Sequence, residues 1–266
     1  MSNFSSTDPT LISQLAQEAE KSPEPEIKTE SPSDSNVMLP GGFITKDGSV
    51  VKYAQVRELN GIDEEVVSKS GSVGKALSTI LQRGVVSIGT QAVEKEDLDS
   101  LLSGDREALL IGIRRVTFGD EAEYLVRCPQ CRTELDITVN ISSDIPVKNL
   151  EDPIQDRTFT YVSKKFGAIV VGLPTGQTQR KIIENFDKTN SELNTILLGG
   201  CIKSINGEPS IGATSALTLG MIDRENIINE ILARNPGPRL GEVTTTCEAC
   251  GEDIPMPLSL SDLFRL

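Results

Sequence analysis

Between Leu39 and Leu266 the spacing of apolar residues changes several times, and each change marks a predicted element. Leu39-Pro-Gly-Gly42 is a turn signal leading into Phe43-Ile44-Thr45, and Val50, Val51, Tyr53 and Val56 follow Asp47-Gly48. Two β-prone runs around Asp-Gly predict a hairpin. After Asn60-Gly61 the period lengthens to that of a helix over Ile62–Lys69, Val73–Gln82, Glu96–Leu102 and Asp105–Val116, the last opening on an acidic, cap-like Asp105. Alternation then returns at Leu135, Ile137, Val139 and Ile141, which predicts two strands flanking Cys128-Pro-Gln-Cys131. A further hairpin is predicted from Thr158–Val162 and Ala168–Leu173, and helices from Gln177–Phe186, Ser191–Ile202 and Ser215–Ala233. The last helix stops before Asn235-Pro-Gly-Pro238. Residues 241–256 repeat the order strand, Cys-x-x-Cys, strand around Cys247-Glu-Ala-Cys250.

The predicted fold class is therefore α+β: helical clusters with several β-hairpins, two of which carry the Cys-x-x-Cys knuckles of a zinc-ribbon-like site. Two regions are expected. Residues 1–38 are rich in Ser, Pro and Glu, with Asp8, Glu18, Glu20, Glu24, Glu26, Glu30 and Asp34 against Lys21 and Lys28. Such a composition cannot offset its ordering entropy by apolar burial, so this acidic arm is expected to be disordered unless bound. Within it, Asp8-Pro9 followed by Leu11, Ile12, Leu15 and Ala19 forms a helical stripe, either a nascent helix in a loose tail or an arm that docks in a partner's groove. Residues 39–266 are expected to form an α+β body closed by a four-cysteine zinc site. Its final ten residues, Pro257–Leu266, hold five large apolar side chains. These must dock on their own domain or on a neighbouring subunit.

Charge and composition narrow the function. With 26 Lys+Arg against 39 Asp+Glu the net charge is −13, and neighbouring basic residues occur only as the pairs Arg114-Arg115, Lys164-Lys165 and Arg180-Lys181. Neutralising a phosphate backbone takes clustered cations, so nucleic acid is not an expected partner. The chain has no histidine. It therefore lacks the commonest general base near neutral pH and any Ser-His or Cys-His nucleophile pair. Asp63-Glu64-Glu65, Glu96-Asp97 and Asp120-Glu121 lie near helix starts and read as surface residues that complement the helix dipole. Gly71-Ser-Val-Gly74-Lys75-Ala76 is like a phosphate-binding loop, but Lys69 stands where the first glycine belongs and Ala76 where the magnesium-binding hydroxyl belongs, so it reads as the start of a helix. No enzymatic activity and no small-molecule substrate are expected. No apolar run approaches the roughly 18–20 residues that span a bilayer, and residues 1–10 lack a signal peptide's basic and apolar regions, so no membrane partner is expected either.

The cysteines carry the strongest chemical signal. A Cys-x-x-Cys pair on a tight turn grips one edge of a tetrahedral ion, and two such pairs close the shell. Cys128, Cys131, Cys247 and Cys250 fit this pattern, although 115 residues separate the pairs. One structural zinc ion is the expected occupant, with a redox pair or an iron–sulfur centre as the other readings. Four thiolates leave no open coordination position, which argues against a catalytic metal. Cys201 falls on the apolar stripe with Leu193, Ile196 and Leu197 and reads as a buried thiol.

Several ordered stretches resemble one family. They are Leu39-Pro-Gly-Gly-Phe43, Val56-Arg-Glu-Leu-Asn-Gly-Ile-Asp-Glu-Glu65, and Asp105-Arg-Glu-Ala-Leu-Leu-Ile-Gly-Ile-Arg-Arg-Val-Thr-Phe-Gly-Asp120 with Cys-x-x-Cys shortly after. Asn194-Thr195, Ile205-Asn-Gly-Glu208, Asp223-Arg224 and Leu258-Ser-Leu-Ser-Asp-Leu-Phe-Arg265 follow the same pattern. Across residues 39–266 the chain is similar to baseplate hub assembly proteins of contractile-tailed bacteriophages. The resemblance implies a non-enzymatic structural or assembly protein, made in the host cytoplasm, located in the virion tail baseplate and binding other baseplate and tail proteins. It leaves open a transient assembly chaperone absent from the virion. The four-cysteine pattern alone would also permit a zinc-ribbon module of nucleic-acid metabolism, for which a basic face is the discriminating feature. Zinc itself rests on this sequence's own spacing.

Overall fold

The computed structural model describes residues 35–256 and 258–266. The Leu11–Ala19 stripe and the acidic run through Asp34 lie outside the described residues. The chain opens with β1 (Asn36–Ile44) and β2 (Val50–Val56), continues through helices α1 (Gly61–Ser68) and α2 (Val73–Gly84), then adds β3 (Val85–Ile88) and β4 (Gln91–Ala92). These strands form an antiparallel sheet in the order β1-β2-β3-β4. The expected turn at Leu39–Gly42 lies inside β1, where the register with β2 shifts between Met38 and Phe43. Pro40 lacks an amide donor and Gly42 has φ +71°, so the ladder is interrupted as a bulge without the strand ending. The Pro40 carbonyl is satisfied elsewhere, by the Leu150 amide at 2.9 Å.

Asn60 caps α1, its side chain accepting from the amides of Ile62 and Asp63 while the Asp63 carboxylate accepts from the Asn60 amide. Asp63 is not the surface residue its position near a helix start implied. It is fully buried, with Arg57 2.7 Å away on one side and Arg83 paired on the other. Arg57 is the main reason its carboxyl stays well below the ordinary carboxylate range.

Helix α3 (Lys95–Ser100) leads into α4 (Ser103–Phe118), which is buried through most of its length. Leu109, Leu110 and Ile113 of α4 pack with Leu39, Val56, Ile80 and Leu81 in one core. Next come the hairpin β5 (Glu121–Arg127) and β6 (Glu134–Asn140), a short α5 (Ile141–Asp144) and β7 (Val147–Lys148). Then β8 (Thr158–Ser163) and β9 (Gly167–Gly172) precede α6 (Gly176–Glu184), α7 (Asn190–Cys201), β10 (Ile202–Ile205) and β11 (Glu208–Pro209). A second sheet, ordered β11-β10-β9-β8, covers a core of Ile169, Val171, Leu198, Cys201, Ile227 and Ile231.

One long helix was expected over Ser215–Ala233, and two are present: α8 (Ala213–Thr218) and α9 (Met221–Arg234). Gly220 is extended (ψ 152°) and breaks the run. Asp223, in the first turn of α9, accepts hydrogen bonds from Tyr161 Oη at 3.0 Å and Ser163 Oγ at 2.8 Å, tying the new helix start to β8. The chain ends with β12 (Gly237–Pro238), β13 (Thr244–Thr246), β14 (Asp253–Pro255) and α10 (Leu260–Phe264). The apolar C-terminal run packs on its own body: Leu263 and Phe264 are buried, and Arg114 Nε donates to the Leu263 carbonyl at 2.7 Å. Among the described residues no helix is long and apolar enough to cross a membrane.

Candidate metal centre

Two hairpins of unequal length present the four cysteines. β5 and β6 pair over seven residues from Glu121↔Asn140 to Arg127↔Glu134, whereas β13 and β14 pair over three. The turns at their tips are closely matched. In the first, the Cys128 amide donates to the Thr133 carbonyl and the Arg132 amide to the Cys128 carbonyl, both at 3.0 Å. In the second, the Cys247 amide donates to the Glu252 carbonyl and the Gly251 amide to the Cys247 carbonyl, both at 2.8 Å. The residue after the second cysteine is left-handed in each, Arg132 at φ 63° and Gly251 at φ 76°. Each turn therefore buries its first cysteine, Cys128 or Cys247, and leaves its second, Cys131 or Cys250, exposed.

The hairpins face each other so that the closest sulfur pairs cross between them. Cys128 Sγ lies 3.7 Å from Cys250 Sγ, and Cys131 Sγ lies 3.6 Å from Cys247 Sγ. All four sulfurs fall within 4.8 Å of one another. A regular tetrahedron with metal–sulfur bonds of about 2.3 Å has edges of about 3.8 Å, so the cluster has the dimensions of a four-thiolate shell. These separations are far beyond the roughly 2.05 Å of a disulfide, and the cysteines are free thiols. The group can hold a metal ion. Ile254, Val126 and Leu135 pack around the two buried cysteines, and Val139, Ile141, Val243, Met256 and Leu258 form a continuous core beneath both hairpins.

The thiols are poised unequally. The Thr133 hydroxyl, 3.2 Å from Cys131 Sγ, together with the Thr133 amide, lowers the Cys131 pKa to about 6 and favours the thiolate, which is the ligand form. At Cys250 the Glu252 amide pulls the same way, but burial and the three neighbouring thiols outweigh it and push the group up to about 12. Closely spaced sulfurs resist ionising together, and a cation among them removes that conflict.

The remaining candidates lie elsewhere. Cys201 is fully buried in the core beneath the second sheet, and burial raises it to about 12, as befits an inert thiol. The phosphate-loop-like segment starts α2, with Ser72 Oγ accepting from the Lys75 amide at 3.4 Å. Asp97 caps α3 through the Glu94 amide, and Asp120 pairs with Arg115 at 2.7 Å.

One residue carries more than its sequence position announced. Asp105 sits inside the first turn of α4, with Leu102 as the N-cap, and is completely buried. Its Oδ1 accepts from the Gly41 amide at 2.6 Å, which pins the β1 bulge to α4, while its Oδ2 has no hydrogen-bond partner among the described residues. Burial raises its pKa from 3.8 to about 6 against the pull of the Gly41 amide and Arg157. The flanking Gly104 is pressed against Pro236 and Gly237, so three distant segments meet there. The only local signal was that the charged run Asp105-Arg106-Glu107 is set between Leu-Leu-Ser-Gly and Ala-Leu-Leu-Ile-Gly.

No curated protein and no solved structure matches the chain. The family described as T4 bacteriophage base plate protein matches residues 66–218, which run from α1 to α8, include the first knuckle and make up more than half of the chain. The chain belongs to the T4 bacteriophage base plate protein family.

Proposed function

We propose that this protein is a non-enzymatic structural component of a phage contractile-tail baseplate, located in the virion tail and binding neighbouring baseplate and tail proteins. The observation that carries this reading is the family match, which spans the buried helix α4, the first knuckle and the second sheet. Within the body, Cys128, Cys131, Cys247 and Cys250 hold one structural zinc ion. The crossed sulfur pairs at 3.6 and 3.7 Å support that assignment. The metal contributes folding energy by joining residues 128–131 to residues 247–250, because four thiolate ligands fill the tetrahedral shell. The first knuckle lies inside the family-matched segment and the second lies outside it. The ion thus fastens the C-terminal part of the chain to the family body.

Quantitative mass spectrometry of purified particles and of the lysate that produced them tests the role. A fixed ratio to a known tail protein in particles is the expected result. Abundance in the lysate with absence from particles would make the protein a departing assembly chaperone. Native mass spectrometry of the folded chain should show one zinc ion, and finding none would remove the metal from the proposal.

A further inference from the structure

Away from the cysteines, α2, α3, α4 and α6 border an open cavity of about 360 Å3 whose charge is opposite to that of the protein as a whole. Arg106 forms part of its wall and is only 7% exposed. Its Nη1 donates to the Leu98 carbonyl at 2.7 Å and its Nε to Gln179 Oε1 at 2.8 Å, both neutral acceptors. Among the described residues no carboxylate accepts a hydrogen bond from it. Arg180, which also lines the cavity, is paired with Asp99. Lys75 and Lys95 line the same space and form no ion pair among the described residues. Against these four cations the lining holds two carboxylates, Asp99 and Glu184, in a chain of net charge −13.

Burial pulls the Arg106 pKa down, with the field of Asp99 opposing that shift and the field of Arg180 adding to it. Asp99 is thus shared by Arg106 and its own ion-pair partner Arg180, which leaves the two guanidiniums one positive charge in excess that an anion would balance. Ser70 and Ser78 also line the cavity, while Thr79, 3.3 Å from Ser70 Oγ, spends its own hydroxyl on the Lys75 carbonyl at 2.9 Å. Cations joined with hydroxyl donors match the several acceptor oxygens of a phosphate group. We propose that this cavity is a phosphate-binding site, taking inorganic phosphate, pyrophosphate or the phosphate end of a small molecule, with Arg106 at its base and Lys75, Lys95 and Arg180 at its rim. The glycine-containing segment before Lys75 contributes by starting the helix that carries Lys75, Ser78 and Thr79 to the cavity, not as a phosphate loop. This inference is independent of the zinc assignment and of the baseplate role.

Isothermal titration of the full chain with pyrophosphate, with inorganic phosphate and with a short polyglutamate peptide tests it. One pyrophosphate site is expected, weakening as salt is raised. Lys75→Gln combined with Lys95→Gln alters only exposed rim residues, and should weaken that site at least about tenfold by removing two charge-assisted contacts. Arg106→Lys keeps the charge but loses the fork, and should weaken it further in a variant whose far-ultraviolet spectrum shows that it is folded. Absence of any phosphate heat overturns the proposal, as does a pyrophosphate site unchanged in the lysine double variant. Tighter binding of the peptide than of pyrophosphate would also overturn it, and would make the cavity a docking point for an acidic partner segment.

Discussion

Two junctions bring distant parts of this chain together, by opposite means. At the cysteine cluster, two hairpin tips with almost the same local geometry meet through side chains, four sulfurs within 4.8 Å. At the Asp105 junction the contact is mostly backbone: the Gly41 amide reaches the carboxylate, and a Cβ placed on Gly237 would lie 2.7 Å from Gly104 Cα. The first is a chemical joint that an ion can open or close. The second is a steric one that tolerates no added atom.

The largest effect should come from opening the chemical joint. Chelating the proposed zinc, or making Cys128→Ser with Cys247→Ser, should cost about 5 kcal/mol or more of apparent stability, given the ten or so released by structural zinc in small domains. Hydrogen exchange should locate the loss first in β13–β14, which has three paired residues, and only later in β5–β6, which has seven. Equal exchange in both hairpins would mean that the metal is not what secures the short one.

The steric joint is tested next by Gly104→Ala. The new methyl would collide with the Pro236 carbonyl, a backbone atom that cannot rotate away. A loss of about 3 kcal/mol in urea unfolding is expected, with metal content unchanged. A melt like the parent's would show that the segments can slide apart at no cost.

Asp105→Asn separates charge from shape at the same joint. The ordinary carboxyl titrates at 3.8 and the buried one at about 6, so the folded state holds the proton more tightly than the unfolded chain does. The stability this gives is fully present below pH 4 and is lost as pH rises to 6. Asparagine keeps an oxygen for the Gly41 amide and does not titrate, so between pH 4 and 6 it should gain on the parent by up to about 3 kcal/mol. Parallel urea midpoints for the two proteins across that window would refute the assignment. Smallest is the contrast within the knuckles: Gly251→Ala should cost about 1 kcal/mol at φ 76°, while Arg132→Gly at φ 63° should cost nothing or stabilise slightly. Thermal melts of the zinc-loaded variants measure both.

The chemical joint was legible because its chemistry is local. Cys-x-x-Cys places two sulfurs on one turn whatever surrounds it, and two such turns need each other to close a shell. The hairpins and most helices were legible for the same reason, since alternation and helical spacing report which face is buried. What failed to show were the places where burial came from far away. Asp63 read as a surface acid complementing a helix dipole, and Asp105 as a cap at the start of its helix. One is buried between Arg57 and Arg83, the other beneath a β1 bulge that the sequence presents as a turn. The break at Gly220 was hidden inside continuous helical spacing until Asp223 found Tyr161 and Ser163.

The sequence by itself determined the α+β class, the matched knuckles and the candidate metal ligands, since these depend on residue type and short-range spacing. Only the tertiary structure decided that the C-terminal run packs on its own body, that Asp105 joins three segments, and that Arg106 is buried with neutral hydrogen-bond acceptors in a cavity it shares with Lys75 and Lys95. Those outcomes depend on which groups share a low-dielectric interior, and that is settled by contacts between residues tens to more than a hundred positions apart.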